Sequence, residues 1–444
     1  MRDPKLFSKL LEPEVGLVSS YELAAVDSVP TIYNLIIDVG QRLGSDVFGV
    51  DDRVGAWDLT MAGVLRRGVG EAVERYALRP HLGSSGDLGR HSVGTNDDLG
   101  GPRSDADGNL GESSGDADGN LGESSGDADG NLVRPFDQAD AGLPRITKAL
   151  RLPSPANDTK WIRAQRVRTK DGQTVTDVVL VDAEWVNLPT SKTAQGRRWF
   201  GTPSGTASHI GLEAAIDSSL RELIERDAVT HAWNGLGEIE RVQSIDVRCR
   251  STRKLEQLQQ SFPLHLYRVK SRIGSAWTYV AWNVHDNYAA VGSSLKTCPA
   301  CAALHACIEA LQVGALLLEM TGRNQDKFEG VATDTFADLS ERRMSFWAST
   351  HGVSAWKVWD EEAKLTSVQA HHEEVLLTSE DVTAAGASHI WVDLTARLPE
   401  PVSDAGFRVV KSFIPELLSL PMSEGEPWNH VPGGRPLAKW EPLL

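Results

Sequence analysis

Two segments of the chain carry the same arrangement of acid and base: Gly70-Glu71-Ala72-Val73-Glu74-Arg75-Tyr76 and Arg221-Glu222-Leu223-Ile224-Glu225-Arg226-Asp227. On a helix, positions i and i+3 share a face, so each segment sets two carboxylates side by side with an arginine next to them. Adjacent like charges are mildly unfavourable unless a cation compensates. Two such faces meeting across a cleft can hold Mg²⁺ ions that bridge phosphate oxygens, with the arginines on the phosphates. The plainer reading is a pair of solvated helix faces with i, i+4 ion pairs. The duplication of the pattern, with apolar residues at the intervening positions, favours the cleft. A third helical segment, Cys307-Ile308-Glu309-Ala310-Leu311-Gln312, adds one more acid, although Glu and Gln alone are ordinary helix formers.

The elements that must position these side chains follow from periodicity. Helices are predicted from about Met61 to Leu78, at Leu212 to Thr230 and at Ala302 to Met320. Strands are predicted at Tyr33 to Val39, Val175 to Leu180, Leu264 to Val269, Trp277 to Trp282, Ser388 to Leu394 and Phe407 to Phe413. Long helices interleaved with β-branched strands imply a mixed α/β or α+β fold.

Between the first acidic helix and the rest, composition changes abruptly. From Pro80 to Gly142 Gly, Ser and Asp dominate and the only aromatic is Phe136. An 11-residue unit, Asp105 to Gly115, recurs identically from Asp116, and a partial third copy begins at Asp127. Such a unit buries too little to offset its ordering entropy, and a flexible insertion grown by duplication is expected. Its Asp-x-Asp-Gly-Asn core lacks the closing Glu at position 12 of a calcium loop. The chain thus divides into 1–79, an acidic insertion over 80–142, and 143–444.

The insertion also accounts for most of the net charge of −16: 13 Asp or Glu against 3 Arg leave −6 for the remainder. That balance offers no basic stripe for nucleic acid. No apolar segment follows the N-terminal charges, and the apolar run Val313 to Leu318 is far too short to span a bilayer. Four cysteines do not make a disulfide framework, so a cytoplasmic protein is expected. Cys298-Pro299-Ala300-Cys301, with His305 and Cys307 following, invites a zinc reading, but a single Cys-x-x-Cys without a second pair leaves the ligand set half complete. His371-His372-Glu373-Glu374 reads as solvated surface. Trp185, Trp199 and Trp440 could bind a peptide, with core packing the default for aromatics.

Taken together, Thr202-Pro203-Ser204-Gly205-Thr206-Ala207, Leu212 to Ile216 and Glu222 to Asp227 resemble the signature of the YcaO family, a Ser/Asn-Gly turn followed by a helix ending in Glu-x-x-Glu-Arg-Asp. Gly70 to Tyr76 looks like the family's first nucleotide helix, and Glu309 to Gln312 followed by Gly322-Arg323 looks like its third. The resemblance covers most of residues 16–444. It implies a YcaO-like fold with three nucleotide-facing helices and an ATP- and Mg²⁺-dependent cyclodehydratase. In that family a Cys, Ser or Thr side chain attacks a backbone carbonyl of a ribosomal precursor peptide, and ATP phosphorylates the amide oxygen. Loss of phosphate then leaves an azoline.

By the same resemblance Glu71, Glu74, Glu222, Glu225 and Glu309 are metal or nucleotide ligands, and Arg75, Arg226 and Gln312 surround the phosphates. The implied partners are the precursor peptide, a separate ubiquitin-activating-enzyme-like or leader-binding protein, a flavin-dependent azoline dehydrogenase and a second copy in a homodimer. A separate leader-binding protein is expected because the family-like segment begins near residue 16. Thioamide or amidine formation, which the family also performs, is an alternative outcome.

The chain departs from the pattern. Arg67 stands where the family tends to have Ser, Ile210 where Asn is usual, and Ala214 where the second Glu of a pair is usual. A Lys-containing glycine turn is not apparent near Gly55-Ala56-Trp57. These exchanges support a further alternative, a non-catalytic scaffold that binds peptide or an active paralogue. The C-terminal segment from Pro436 lacks the alternating prolines of azole-forming members, and a disordered tail is expected as readily as a docked one.

Overall fold

The computed structural model describes residues 4–26, 28, 30–40, 53–79, 142–152, 154–155, 159–188, 201–246, 249–328, 339–369, 377–419, 430–438 and 441–442. The repeat insertion, the His371–Glu374 stretch, Trp199 and Trp440 lie outside the described residues.

A short helix α1 (Pro4–Leu10) precedes three antiparallel strands, β1 (Val18–Val26), β2 (Ile32–Val39) and β3 (Arg53–Asp58), in the order β1-β2-β3. Helix α2 (Met61–Ala77) follows directly. Asp58 and Thr60 start it: the Asp58 carboxylate accepts from the Thr60 N–H at 2.9 Å, and the Thr60 hydroxyl accepts from the Gly63 N–H at 3.1 Å. The capped turn satisfies N–H groups that the first helical turn otherwise leaves without partners. Val64, Val69, Ala72, Val73 and Ala77 form its buried face, packed with Leu35, Ile37 and Val54 of the small sheet. That leaves Glu71, Glu74 and Arg75 to a neighbouring, partly exposed face.

A second sheet joins β4 (Trp161–Lys170), β5 (Gln173–Asp182), β6 (Thr206–Ile210), β12 (His389–Asp393) and β13 (Phe407–Phe413) in the order β5-β4-β12-β13-β6, all antiparallel. The one-turn helix α3 (Ala183–Val186) leaves β5, and helix α4 (Leu212–Trp233) leaves β6 and packs on β13. The third sheet comprises β7 (Ile239–Asp246), β8 (Leu264–Lys270), β9 (Trp277–His285), β10 (Tyr288–Ser294) and β11 (Lys364–Gln369), ordered β10-β9-β8-β7-β11. Only β11 and β7 run parallel in it.

Side-chain alternation makes this third sheet two-faced. Val280 and Trp282 of β9 join one core, with the C-terminal part of α4 and helices α7 (Leu339–Trp347) and α8 (Thr350–Glu362). Tyr279 and Ala281 join another, with helices α5 (Arg250–Ser261) and α6 (Pro299–Phe328). Gly292 lets α6 lie on β10, because a Cβ there would stand 2.4 Å from the Ala306 carbonyl oxygen and 2.7 Å from the Glu309 Cβ. The stretch Pro299–Glu319 is long and apolar enough by itself to cross a membrane, a feature hidden from a count of uninterrupted apolar residues. Its apolar residues Ala302, Ala303, Ala306, Ile308 and Leu311 pack inside this core.

The predicted elements are all present, α4 and α6 longer than periodicity indicated; strands β1, β3, β4, β6, β7, β10 and β11 and the helices other than α2, α4 and α6 were not foreseen. Trp185 is buried against Phe413 in the core and is not available to a peptide. The C-terminal segment is docked rather than free. Leu437 N–H donates to the Trp233 carbonyl, Trp347 Nε1 donates to the Glu441 carbonyl at 2.9 Å, and the Glu441 carboxylate pairs with Arg151 at 2.8 Å. Backbone groups at the end of α4 and a buried arginine fix this tail, and no local sequence pattern announces either partner.

Trp233, Trp282, Trp347 and Trp359 form one cluster with ring centroids 5.3–6.4 Å apart. Replacing a fully buried tryptophan with alanine removes its transfer energy and leaves a cavity. Trp233→Ala is expected to cost about 3–5 kcal/mol, measurable as a lower urea midpoint by circular dichroism.

Candidate active site

Helices α2, α4 and α6 each bring acidic side chains to a common recess. From α2, Glu74 accepts a hydrogen bond from the Ser208 N–H of β6 at 2.8 Å, while the Ser208 hydroxyl returns to the Gly70 carbonyl at 2.8 Å. From α4, Glu225 accepts from the Ser293 hydroxyl and from the Leu295 N–H at 2.8 Å. From α6, Glu309 accepts from the Ser293 N–H at 3.1 Å. The middle of β6 and the end of β10 thus hold the carboxylates by their backbone amides, donors that cannot swing away.

The electrostatics show how close these groups stand. Burial, with Glu222 and Glu71 nearby, pushes the Glu74 carboxyl up to about 8. Glu309 is raised to about 7 by burial, against the pull of Arg226 and with the help of Glu225. Burial likewise raises Glu222 to about 6, although Arg226 opposes it. Glu71, 3.9 Å from Arg75, is also raised by burial. Two like-charged neighbours therefore recur, Glu74 with Glu222 and Glu225 with Glu309, joined by Arg226.

All eight residues singled out in the sequence are placed by these elements. Glu71, Glu74, Glu222, Glu225, Glu309 and Arg226 share the recess, and Arg75 lies on its α2 side. Gln312 sits one turn beyond Glu309 and donates Nε2 to the Gly55 carbonyl of β3 at 2.8 Å, joining α6 to the small sheet. Asp227, the last residue of the second motif, faces away. Its buried carboxylate accepts from Arg272 Nε at 2.9 Å and from the Leu418 N–H at 2.7 Å, a purely structural role.

Two lysines were not foreseen. Lys411 lies on β13, buried, and donates to the Thr202 and Ser204 carbonyls. Burial lowers its ammonium to about 7 in spite of Glu222 and Glu74. Lys296, just before α6, is lowered by burial and by Arg67 to about 8, with Glu225 pulling the other way. A charged residue inside the apolar strand Phe407–Phe413 was the available signal for Lys411; Lys296 had none.

Of the departures, Arg67 pairs with Asp58 at 3.0 Å and stands near Glu309 and Lys296. The position carries a cation where the family tends to have a hydroxyl. Ile210 ends β6 opposite Phe407, and Ala214 lies in the first turn of α4.

The residues fit a magnesium nucleotide on two observations. Arg226 is only 12% exposed, and its Nε and Nη1 have no hydrogen-bond acceptor, with the nearest carboxylate, Glu222, at 3.7 Å. Buried guanidinium donors left open suit an anion such as phosphate. The glutamates, moreover, do not close on one point: among the described residues no three carboxylates converge within 4.8 Å of one another. Spread carboxylates suit Mg²⁺, which commonly takes one or two of them and completes its shell with phosphate oxygens and water.

The sequence profile described as YcaO cyclodehydratase, ATP- and Mg²⁺-binding, matches residues 64–418. The chain belongs to the YcaO family. Solved YcaO-fold structures agree. A YcaO protein from Methanopyrus kandleri, bound with AMPPCP and Mg²⁺, superposes with a TM-score of 0.55 at 15% identity, over 93% of this chain and 91% of that one. A heterocyclase in complex with substrate and cofactor gives 0.57 at 14% identity, over 95% of this chain and 53% of the other. A chain of the Escherichia coli microcin synthetase McbBCD complex gives 0.51 at 12% identity, over 89% and 88%. No curated protein sequence matches. The YcaO fold is shared although few residues are.

Raised carboxyls bind a cation only after releasing their protons. Magnesium-nucleotide affinity is therefore expected to fall as pH drops from about 8 to about 6. Calorimetry in buffers of differing ionisation enthalpy should show net proton release near pH 7, fading above about 8.5 as these groups become ionised beforehand.

Proposed function

We propose that this YcaO protein is an ATP- and Mg²⁺-dependent cyclodehydratase that converts Cys, Ser or Thr residues of a ribosomal precursor peptide to azolines. The observation that carries this reading is the pair of like-charged carboxylate neighbours on three helices around the open donors of Arg226. Glu71, Glu74, Glu222, Glu225 and Glu309 are the residues for metal and nucleotide. Arg226 and Arg75 serve the phosphates, and Gln312 braces α6 against β3. Arg67 and Lys296 add positive charge near Glu225 and Glu309, which compensates a triphosphate rather than excluding it.

ATP, when bound, supplies the phosphoryl group that turns a backbone amide oxygen into a leaving group. The protein's own contribution is positional and electrostatic. Ser208 and Ser293 fix the carboxylates, and the arginines neutralise developing charge. Solved relatives include a heterocyclase in complex with substrate and a microcin synthetase complex with its pro-peptide bound, and they support a peptide substrate and partner proteins. By analogy the chain works in the cytoplasm as a homodimer, with a separate leader-binding protein and an azoline dehydrogenase acting afterwards.

The altered positions Arg67, Ile210 and Ala214 favour a second reading, a non-catalytic scaffold for peptide or for an active paralogue. Titration with Mg-ATP separates the two: binding below millimolar is expected of the enzyme, and none at millimolar nucleotide of the scaffold. Reconstitution with precursor peptide, leader-binding protein and ATP should give phosphate release and loss of one water per modified residue. Glu222→Gln, nearly isosteric, should abolish both while leaving the circular dichroism spectrum intact. Turnover retained in that variant would exclude a metal-holding role for Glu222.

A further inference from the structure

Outside the acidic recess, a cluster of thiols sits where α5 and α6 begin. Cys298 immediately precedes α6 and Cys301 lies in its first turn. Cys249, 49 residues upstream of Cys298, is the N-cap of α5. The two helices pack through Leu255, Leu258, Ala302, Ala303 and Ala306, and this packing brings the distant thiol to the Cys-x-x-Cys turn. The sequence lacked a second Cys pair; the fold supplies the missing partner from another helix. His305 and Cys307 do not join: Cys307 is buried in the α5/α6 core.

The geometry points to a metal site: we propose that Cys249, Cys298 and Cys301 bind one soft divalent cation, Zn²⁺, as three thiolates with a fourth position open to water. The sulfur geometry argues for it. The three Sγ atoms all lie within 4.8 Å of one another. Cys249 and Cys298 are 3.8 Å apart, which is the sulfur–sulfur edge of a tetrahedron built on Zn–S bonds of about 2.3 Å. A disulfide would need about 2.05 Å, and all three thiols are free.

Helix ends and hydroxyl groups surround the sulfurs. Both ends are helix N-termini, where peptide dipoles favour negative charge. Ser251 Oγ lies 3.3 Å from Cys301 Sγ, and Thr252 Oγ1 lies 3.6 Å from Cys249 Sγ, hydroxyls placed to orient the sulfurs. All three cysteines are partly exposed, so an ion can enter and a water can complete the shell. Binding exchanges three S–H protons, released to solvent, for three metal–sulfur bonds.

The site has a consequence for the recess. Cys301 and Glu309 lie on the same helix, about 12 Å apart along its axis, and Lys296, two residues before Cys298, faces Glu225. A metal that ties α5 to the start of α6 fixes the register of the helix that carries Glu309 and Gln312. This is a structural site and stands whether or not the peptide chemistry proposed above is correct.

The test uses the full chain, reduced and freed of metal by chelation, then titrated with Co²⁺ as a spectroscopic probe. One equivalent is expected, with intense tetrahedral ligand-field bands and thiolate-to-cobalt charge transfer, and with displacement by Zn²⁺. Cys298→Ser and Cys249→Ser should lose that spectrum, whereas Cys307→Ala should keep it. Should either serine variant fail to fold, the wild-type spectrum still decides, because its charge-transfer intensity counts thiolates. Substoichiometric binding, an octahedral spectrum, or a disulfide among these three cysteines in the freshly purified chain would overturn the proposal. Mg-ATP titration of the cobalt-loaded and metal-free protein reports the recess separately.

Discussion

Everything about the recess depends on holding like charges together. Left to themselves, Glu74 and Glu222, or Glu225 and Glu309, would turn into solvent, since adjacent carboxylates repel. Glu74, Glu309 and Glu225 are kept in place by backbone donors on or just beyond strands: the N–H groups of Ser208, Ser293 and Leu295. Ser208 is the middle residue of β6, while Ser293 and Leu295 flank the end of β10. The hydrophobic contacts beneath α2 and α6 therefore serve electrostatics. Gly68 and Gly292, where a Cβ would press on Leu35 and on the backbone of α6, bring helix and strand close enough for those bonds to form.

A second layer keeps α4 from moving relative to the rest. Asp227 holds Arg272 and the Leu418 amide on the side away from the recess, while Lys411 spans from β13 to the turn at Thr202–Ser204. Gly205, at φ +75°, makes that turn possible and places its N–H toward Glu222. A turn, a strand and a helix distant in sequence thus converge on a single carboxylate. The signature Glu-x-x-Glu-Arg-Asp divides its labour accordingly, with the glutamates and arginine toward the recess and the aspartate toward the scaffold.

How far the sequence was legible follows from the range of each interaction. The acidic helices could be read because their pattern is local: three-residue spacing fixes which side chains share a face, whatever the tertiary structure. Strands such as β2 and β5 were equally plain from their β-branched runs, whereas β1 and β4, just as long, were missed. Lys411, Lys296 and Cys249 were obscure because each acquires its meaning from a neighbour supplied by another element. The docking of the C-terminal segment belongs to the same category: Glu441 finds Arg151 and Trp347, which no window of neighbouring residues contains. The tryptophans, numerous enough to suggest a binding surface, instead concentrate four of their rings in one buried cluster.

The pairing of β6 with β13 carries a temporal implication. Thr206 lies opposite Lys411, so a strand made before the polypeptide is half complete waits for one made near its end. Ser208, whose amide secures Glu74, lies on that waiting strand. During synthesis the α2 and α4 carboxylates therefore leave the ribosome long before their sheet can close, exposed to water and free to ionise independently. Nascent chains stalled before residue 407 would possess every glutamate of the recess yet lack the strand that completes their support.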